Sequence, residues 1–115
     1  MKVIIAGSRN ITNQKYILQT VLESPFNVKD ITEIVIGGCR GVDQLAGDYA
    51  LSIGFKLKLF KADWNLGPKA GPIRNEQMAK YADALILIWD GKSKGSKSML
   101  QLAKKHKLKI YQKII

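Results

Sequence analysis

The stretch that decides the fold of this chain is residues 33–53, EIVIGGCRGVDQLAGDYALSI. After Glu33 come three β-branched residues, as in a buried strand, and this run stops at the glycine pair 37–38. Apolar residues then recur at helical spacing from Val42 until Gly54, a typical helix stop. A buried strand, a glycine turn and a helix in this order form the repeating unit of parallel α/β sheets.

The rest of the chain repeats this order of strand and helix on both sides. The further predicted strands lie at 3–6, near 56–60, at 84–89 and at 108–111, and the further helices at about 13–23, 70–81 and 96–106. Because helices of this length serve as right-handed crossovers between parallel strands, we predict an α/β fold. It is a single Rossmann-like doubly wound parallel sheet of about five strands with flanking helices, in one domain over residues 1–115.

Periodicity also predicts where the elements lie and which side chains they bury. The strand at 84–89 is apolar throughout and is placed inside the sheet, whereas alternating lysines place the strand at 56–60 at an edge. In that edge strand the apolar side chains expected to share one face are Phe55, Leu57 and Leu59. In the first helix the expected buried face consists of Ile17, Leu18, Val21 and Leu22. Residues 61–69 are predicted to form a long loop.

Composition excludes several classes of protein. The single cysteine, Cys39, excludes an internal disulfide and is expected to be a small buried hydrophobe. His106 is the only histidine, so no zinc site is predicted, and its place near a helix end favours a capping role. The chain has neither a signal-peptide pattern nor an apolar run near the length of a membrane span. We therefore expect a cytoplasmic protein with no membrane partner.

The charge of the chain points to an anionic partner. The formal net charge is +10, and residues 91–115 carry eight lysines and no acid. Such a field attracts phosphates, on small nucleotides or on nucleic acid, although a solvated lysine face has the same composition. The three arginines, Arg9, Arg40 and Arg74, each lie in or beside a glycine-containing turn. Planar bidentate donors thus occur only where a ligand site is expected.

The predicted ligand site lies at the carboxyl edge of the sheet, where all strand-to-helix loops of a parallel sheet emerge. Glycines at helix starts expose backbone N–H groups to an anion, serine hydroxyls donate to phosphate, and a tryptophan can stack on a base. The candidate ligand- and phosphate-binding residues are Gly7, Ser8, Arg9, Gly37, Gly38, Arg40, Gly41, Asp43, Trp64, Arg74, Asn75, Gly91, Ser93, Gly95 and Ser96. Neither the phosphate-loop motif nor Gly-x-Gly-x-x-Gly is present.

Each acidic residue at this edge has two possible roles, one in ligand chemistry and one in the local structure. Asp63 and Asp90 directly follow strands and are the candidate catalytic residues, as a ribose contact or a general base, but each is equally suited to capping a turn. Asp43, in the first turn of a helix, either favours the helix dipole or contacts a ligand hydroxyl. Asp83 precedes a strand on the opposite edge and is expected to be structural.

Taken together, the edge loops resemble those of a known group. The segments that carry the resemblance are Gly7-Ser8-Arg9, Gly37-Gly38-x-Arg40-Gly41-Val42-Asp43-x-Leu45-Ala46, Ala62-Asp63-Trp64, Ala70-Gly71-Pro72-x-Arg74-Asn75-x-x-Met78 and Trp89-Asp90-Gly91-x-Ser93-x-Gly95-Ser96. They resemble the YspA/YpsA-related branch of the SLOG superfamily, over nearly the whole chain. The resemblance implies a Rossmann-like domain that binds nucleotides, and relatives include the Lonely Guy phosphoribohydrolases and DNA-processing protein A.

The enzyme branch of that superfamily supplies a test by residue type. The enzymes carry the motif Gly-Gly-x-Gly-Thr-x-x-Glu, and residues 91–96 of this chain resemble its glycine-containing part. The position of the motif's glutamate corresponds to Met99, whose side chain can act neither as an acid nor as a base. The enzymes also carry an Arg-Lys pair in an earlier helix, which Arg74-Asn75 resembles in its arginine. The resemblance thus implies retained phosphate binding and a lost glutamate, which Asp90, Asp63 or Glu76 would have to replace in an enzyme.

Three hypotheses of function follow, and whether the chain is an enzyme stays open. The first is a sensor or sequestering protein for a nucleotide derivative of the NAD, ADP-ribose or nucleoside-phosphate type, with no separate cofactor. The second is a nucleotide N-glycosidase or related hydrolase. The third is a nucleic-acid-binding protein, whose affinity would fall steeply with salt. Relatives often pair through helices that flank the site, so a homo-oligomer is an open alternative.

Overall fold

A sheet of five parallel strands runs through the middle of the structure, a computed structural model that describes residues 1–115. Its strands are β1 (Lys2–Gly7), β2 (Glu33–Ile36), β3 (Lys56–Leu59), β4 (Ala84–Trp89) and β5 (Lys109–Ile114). They lie in the order β3-β2-β1-β4-β5, and every neighbouring pair is parallel. The predicted Rossmann-like α/β fold is therefore confirmed, with β3 at an edge and β4 inside the sheet.

Four α-helices cover the two faces of the sheet. They are α1 (Gln14–Glu23), α2 (Val42–Ile53), α3 (Ala70–Tyr81) and α4 (Lys94–Lys105), and short 3₁₀-helices span Val28–Asp30 and Trp64–Lys69. α1 and α2 pack on one face, and α3 and α4 on the other. None of the helices is long and apolar enough to cross a lipid bilayer.

The core lies in two layers because β1 and β4 bury side chains on both faces. In β1, Val3 and Ile5 join the α1–α2 layer, while Ile4 and Ala6 join the α3–α4 layer. β4 alternates in the same way, and all of its residues are buried. Each fully buried isoleucine or leucine contributes roughly 1.5–3 kcal/mol relative to an exposed one. These layers fix the strand ends from which the edge loops start.

Some local predictions were wrong. Leu18 and Leu22 of α1 are exposed, because the buried face follows Ile17, Thr20 and Val21. The buried Thr20 hydroxyl is not left without a hydrogen-bond partner, because it donates to the carbonyl of Tyr16 at 2.6 Å.

The strand and loop predictions also need correction at their ends. Leu59 is exposed, because it lies at the end of the edge strand, beside Gly38 and next to an open hollow. Part of the predicted 61–69 loop is the 3₁₀-helix Trp64–Lys69, capped by Asp63. β5 extends to Ile114 because its ladder with β4 continues to the pair Trp89–Ile114.

Strand order determines where a ligand can enter. From β1 the chain moves through β2 to β3 on one side and then returns to place β4 and β5 on the other. The direction of winding thus reverses between β1 and β4, and the loops after these strands diverge there. A crevice opens at the carboxyl ends of β1 and β4, which is the position expected of a ligand site in a doubly wound sheet.

Candidate functional site

A polar cleft of about 360 Å³ occupies this crevice. It brings together predicted residues from four separate loops and helix starts. Those that line it are Gly7, Ser8, Arg9, Asp43, Arg74, Asn75, Asp90, Ser93, Gly95 and Ser96. Its volume lies within the range of small-molecule sites, about 300–1,000 Å³.

Arg74 is the buried cation of the cleft. It lies in the second turn of α3 with 7% of its surface exposed. Its guanidinium donates to the carbonyl of Gly37 and, through Nε, to Oδ1 of Asn75 at 3.0 Å, and a third nitrogen lies 3.7 Å from the Cys39 sulfur. None of the four ion pairs of the chain includes Arg74. The guanidinium is therefore held in one orientation, with no carboxylate within ion-pair distance of it.

Asp43 is the buried anion of the cleft. It lies in the first turn of α2, 5% exposed, and its Oδ2 accepts the backbone N–H of Gly37 at 3.0 Å. Burial raises the pKa of this carboxyl from 3.8 to about 6, although the N–H groups of Gly37 and Cys39 and the charges of Arg74 and Arg9 lower it. Because desolvation outweighs these stabilising contacts, Asp43 titrates close to neutral pH.

The pKa of Asp43 predicts a pH dependence of stability. The folded state binds the Asp43 proton more tightly than the unfolded chain, so protonation of Asp43 stabilises the fold. This stabilisation is complete below the ordinary pKa of 3.8 and is lost as pH rises through about 6. We expect the free energy of unfolding of the wild type, relative to Asp43→Asn, to fall by about 2–3 kcal/mol between about pH 4 and about pH 7. Urea denaturation of both proteins across this interval measures the difference, and parallel curves would contradict the prediction.

The start of α2 is tied to the β1 loop by close backbone contacts. The N–H of Val42 donates to the carbonyl of Ser8 at 3.3 Å. Gly41, with φ +80°, passes so close that an added Cβ would lie 2.5 Å from the carbonyl oxygens of Ser8 and Arg9. The Ser8 hydroxyl is buried and accepts the N–H of Asp90 at 3.2 Å. Ser8 thereby connects the loops after β1 and β4 across the cleft.

Asp90 organises the turn before α4. Its Oδ1 accepts the N–H groups of Lys92 at 2.8 Å and of Ser93 at 2.9 Å. These two hydrogen bonds hold the pKa of Asp90 below its ordinary value, so this exposed carboxyl is ionised at neutral pH. Ser93 in turn caps α4 by accepting the N–H of Ser96 at 3.5 Å. The turn-capping role considered for Asp90 is thus observed, and the residue also lines the cleft.

Other predicted residues lie outside the cleft. Asp63 caps the 3₁₀-helix by accepting the N–H of Asn65 at 3.2 Å, and Trp64, 60% exposed, lies in a separate hollow with Gly37 and Gly38. Arg40 and Gly91 are exposed and do not line the cleft, and Gly41 is buried behind it. Of the two candidate catalytic residues, only Asp90 faces the cleft.

Sequence reasoning missed several residues that line the cleft. Asn10 and Ala6 had no motif to mark them, and Met78, which belongs to one of the motifs of the family resemblance, was not predicted to line the site. Cys39 was expected to be buried, but it is half-buried because it lies in the glycine loop at the cleft wall. Met99 lines the cleft and is 1% exposed, so position 99 faces the site where the resemblance places a glutamate in the enzymes.

The remaining acids serve the scaffold. Glu76 contacts His106 at 3.0 Å and also pairs with Lys80 and Lys105, away from the cleft. His106 is the C-cap of α4, as expected. Asp83 accepts the N–H of Lys2 at 2.8 Å and joins β1 to the start of β4. No carboxylate other than Asp43 and Asp90 lines the cleft.

Comparison with known proteins identifies relatives of this site and fold. A sequence model of the family YAcAr, described as the YspA, cpYpsA-related SLOG family, matches residues 1–67, more than half of the chain. Among solved structures, the chain is similar to DNA processing protein A from Helicobacter pylori, with 23% identity and a TM-score of 0.72. The alignment covers 97% of this chain and 64% of that chain, whose structure describes a single-stranded DNA binding mode. No curated protein matches the sequence.

Proposed function

The chain belongs to the YspA, cpYpsA-related SLOG family, and from its cleft we propose that residues 1–115 form one domain that binds a nucleotide or nucleotide derivative, as a sensor or sequestering protein. The cleft lies at the carboxyl edge of the sheet, at the reversal of winding between β1 and β4. The ligand class is that of NAD, ADP-ribose or a nucleoside phosphate.

The observation that carries this proposal is the buried guanidinium of Arg74. A charge removed from water is costly unless a counter-charge or hydrogen bonds compensate it. Gly37 and Asn75 orient the group but supply no negative charge, and Asp43 interacts with it electrostatically without forming an ion pair. A phosphate in the cleft supplies that charge together with oxygens suited to a planar fork of donors.

Other groups of the cleft suit the rest of such a ligand. The buried hydroxyls of Ser8 and Ser96 and the start of α4 provide further donors for phosphate oxygens. Arg9, at the cleft rim, adds a second guanidinium. Asp43 and Asp90 provide carboxylate oxygens that accept from ribose hydroxyls.

A second candidate function, hydrolysis of a nucleotide linkage, is supported by Asp43. Its pKa of about 6 suits a general acid or base near neutral pH. This carboxyl, rather than Asp63, is buried in the cleft, so in a hydrolase we assign the proton transfer to Asp43. Met99 provides no replacement for the glutamate of the enzyme motif.

The third candidate, binding of nucleic acid, is supported by two observations. The similar DNA processing protein A binds single-stranded DNA, and the present chain has its fold. Seven of the eight lysines in 91–115 are exposed, and only Lys105 and Lys113 of the eight pair with an acid. Binding through such a face releases counterions and falls steeply with salt, whereas a ligand held by buried Arg74 responds less.

Mass spectrometry of the purified protein incubated with AMP, NAD, ADP-ribose and cyclic nucleotides distinguishes these candidates. We expect one class of compound to be retained intact by the wild type. Consumption of a compound with release of base or phosphate would establish the hydrolase instead. If nothing is retained or consumed, the proposed binding function is wrong, and salt-dependent binding of single-stranded DNA becomes the test of the third candidate.

A further inference from the structure

We propose that a hollow beside the cleft, between the loop after β1 and the end of β5, is the subsite for the base of the bound nucleotide. This inference rests on the proposed function. It adds that the ligand extends from its phosphate at Arg74 toward this hollow. The hollow measures about 260 Å³. Its walls include Asn10, Ile11, Asn13, Tyr16, Asp90 and Ile115.

The hollow continues the crevice in which the cleft lies. Asn10 and Asp90 line both spaces, and both residues are exposed, so the two spaces adjoin at the protein surface. Both spaces also lie between the β1 and β4 loops, where the direction of winding reverses. A ligand anchored at Arg74 therefore reaches the hollow by extending along the same crevice.

The hollow on the other flank of the cleft contains Trp64 and is the alternative position for the base. It shares Cys39 and Arg74 with the cleft. The Arg74 guanidinium bonds to the carbonyl of Gly37 and lies 3.7 Å from the Cys39 sulfur, so two of its nitrogens already contact residues that line this hollow. That hollow also lies beside β2 and β3, away from the reversal of winding.

The side chains of the proposed subsite suit an aromatic base. Tyr16 is 37% exposed, and no other aromatic ring of the chain stacks on it. Ile11 and Ile115 add apolar surface. The exposed amide of Asn10 both donates and accepts, as the polar edge of a base requires.

Asp90 lies at the junction of the two spaces, where the sugar of such a ligand would pass. One of its oxygens, Oδ1, is occupied by the N–H groups of Lys92 and Ser93. The other accepts a ribose hydroxyl in this arrangement. The structure thus assigns Asp90 to the sugar of the ligand.

Titration calorimetry with nucleoside 5′-monophosphates of the four common bases and with ribose 5-phosphate tests the subsite. We expect the best monophosphate to bind the wild type about 5- to 150-fold more tightly than ribose 5-phosphate, the range for stacking of one base. Tyr16→Ala should remove most of this difference and leave the affinity for ribose 5-phosphate unchanged. Tyr16→Phe should retain it. Leu22→Ala, an exposed change on the same helix, is the control for altered helix surface.

The outcomes separate this inference from the function on which it rests. If Trp64→Ala, and not Tyr16→Ala, removes the preference for monophosphates, the base lies in the other hollow and the inference is wrong. Equal affinity of the wild type for ribose 5-phosphate and all monophosphates would also overturn it, while phosphate binding in the cleft would stand. If none of these compounds binds, both the subsite and the proposed binding of nucleoside phosphates fail.

Discussion

Arg74→Ala is expected to weaken binding of the retained nucleotide by about 10- to 150-fold, which corresponds to about 1.5–3 kcal/mol for a hydrogen bond to a charged group. The guanidinium is buried, oriented by Gly37 and Asn75, and free of any ion pair. Alanine removes the positive charge and the N–H groups of the guanidinium. Titration calorimetry with the compound found by mass spectrometry measures the loss.

Two further variants make this result specific to position 74. Arg40→Ala removes a guanidinium that is exposed and does not line the cleft, so its affinity should stay near that of the wild type. Arg74→Lys keeps the charge but loses the planar fork, and an intermediate affinity is expected. Because Arg74 also holds the Gly37 loop, thermal unfolding of each variant must show a folded protein. An unchanged affinity in folded Arg74→Ala would exclude Arg74 from the site.

Gly41→Ala is expected to destabilise the fold by roughly 2–5 kcal/mol, through backbone strain and a steric clash together. Gly41 has φ +80° and ψ −130°, a conformation that residues with a side chain rarely adopt. Its added Cβ would lie 2.5 Å from the carbonyl oxygens of Ser8 and Arg9, which are backbone atoms and cannot rotate away. Urea denaturation measures the loss of stability.

The matched control for this variant is Gly95→Ala. Gly95 lies in the first turn of α4, and an added Cβ meets nothing within 4 Å. Alanine there should leave the fold unchanged or stabilise it by up to about 1 kcal/mol, because it lowers the entropy of the unfolded chain. Equal stability of the Gly41 and Gly95 variants would show that the contact between Gly41 and the β1 loop is not important for the fold.

Local sequence was sufficient to specify the elements of this fold and the edge on which its site lies. Apolar periodicity identified the buried strand at 84–89 and the helix at 42–53, and glycines marked the ends of strands. These signals are local, because backbone geometry and side-chain alternation depend on near neighbours in the chain. In a parallel sheet all strand-to-helix loops emerge at one edge, so their common position could be predicted without side-chain contacts.

Tertiary structure decided which residues of that edge face one another. The order β3-β2-β1-β4-β5 opens the cleft between β1 and β4, which includes Asp43, Arg74 and Asp90 and leaves Asp63 and Trp64 on another flank. The raised pKa of Asp43 likewise follows from its burial in the folded protein. These properties depend on contacts between segments tens of residues apart, and neither periodicity nor spacing along the chain contains that information.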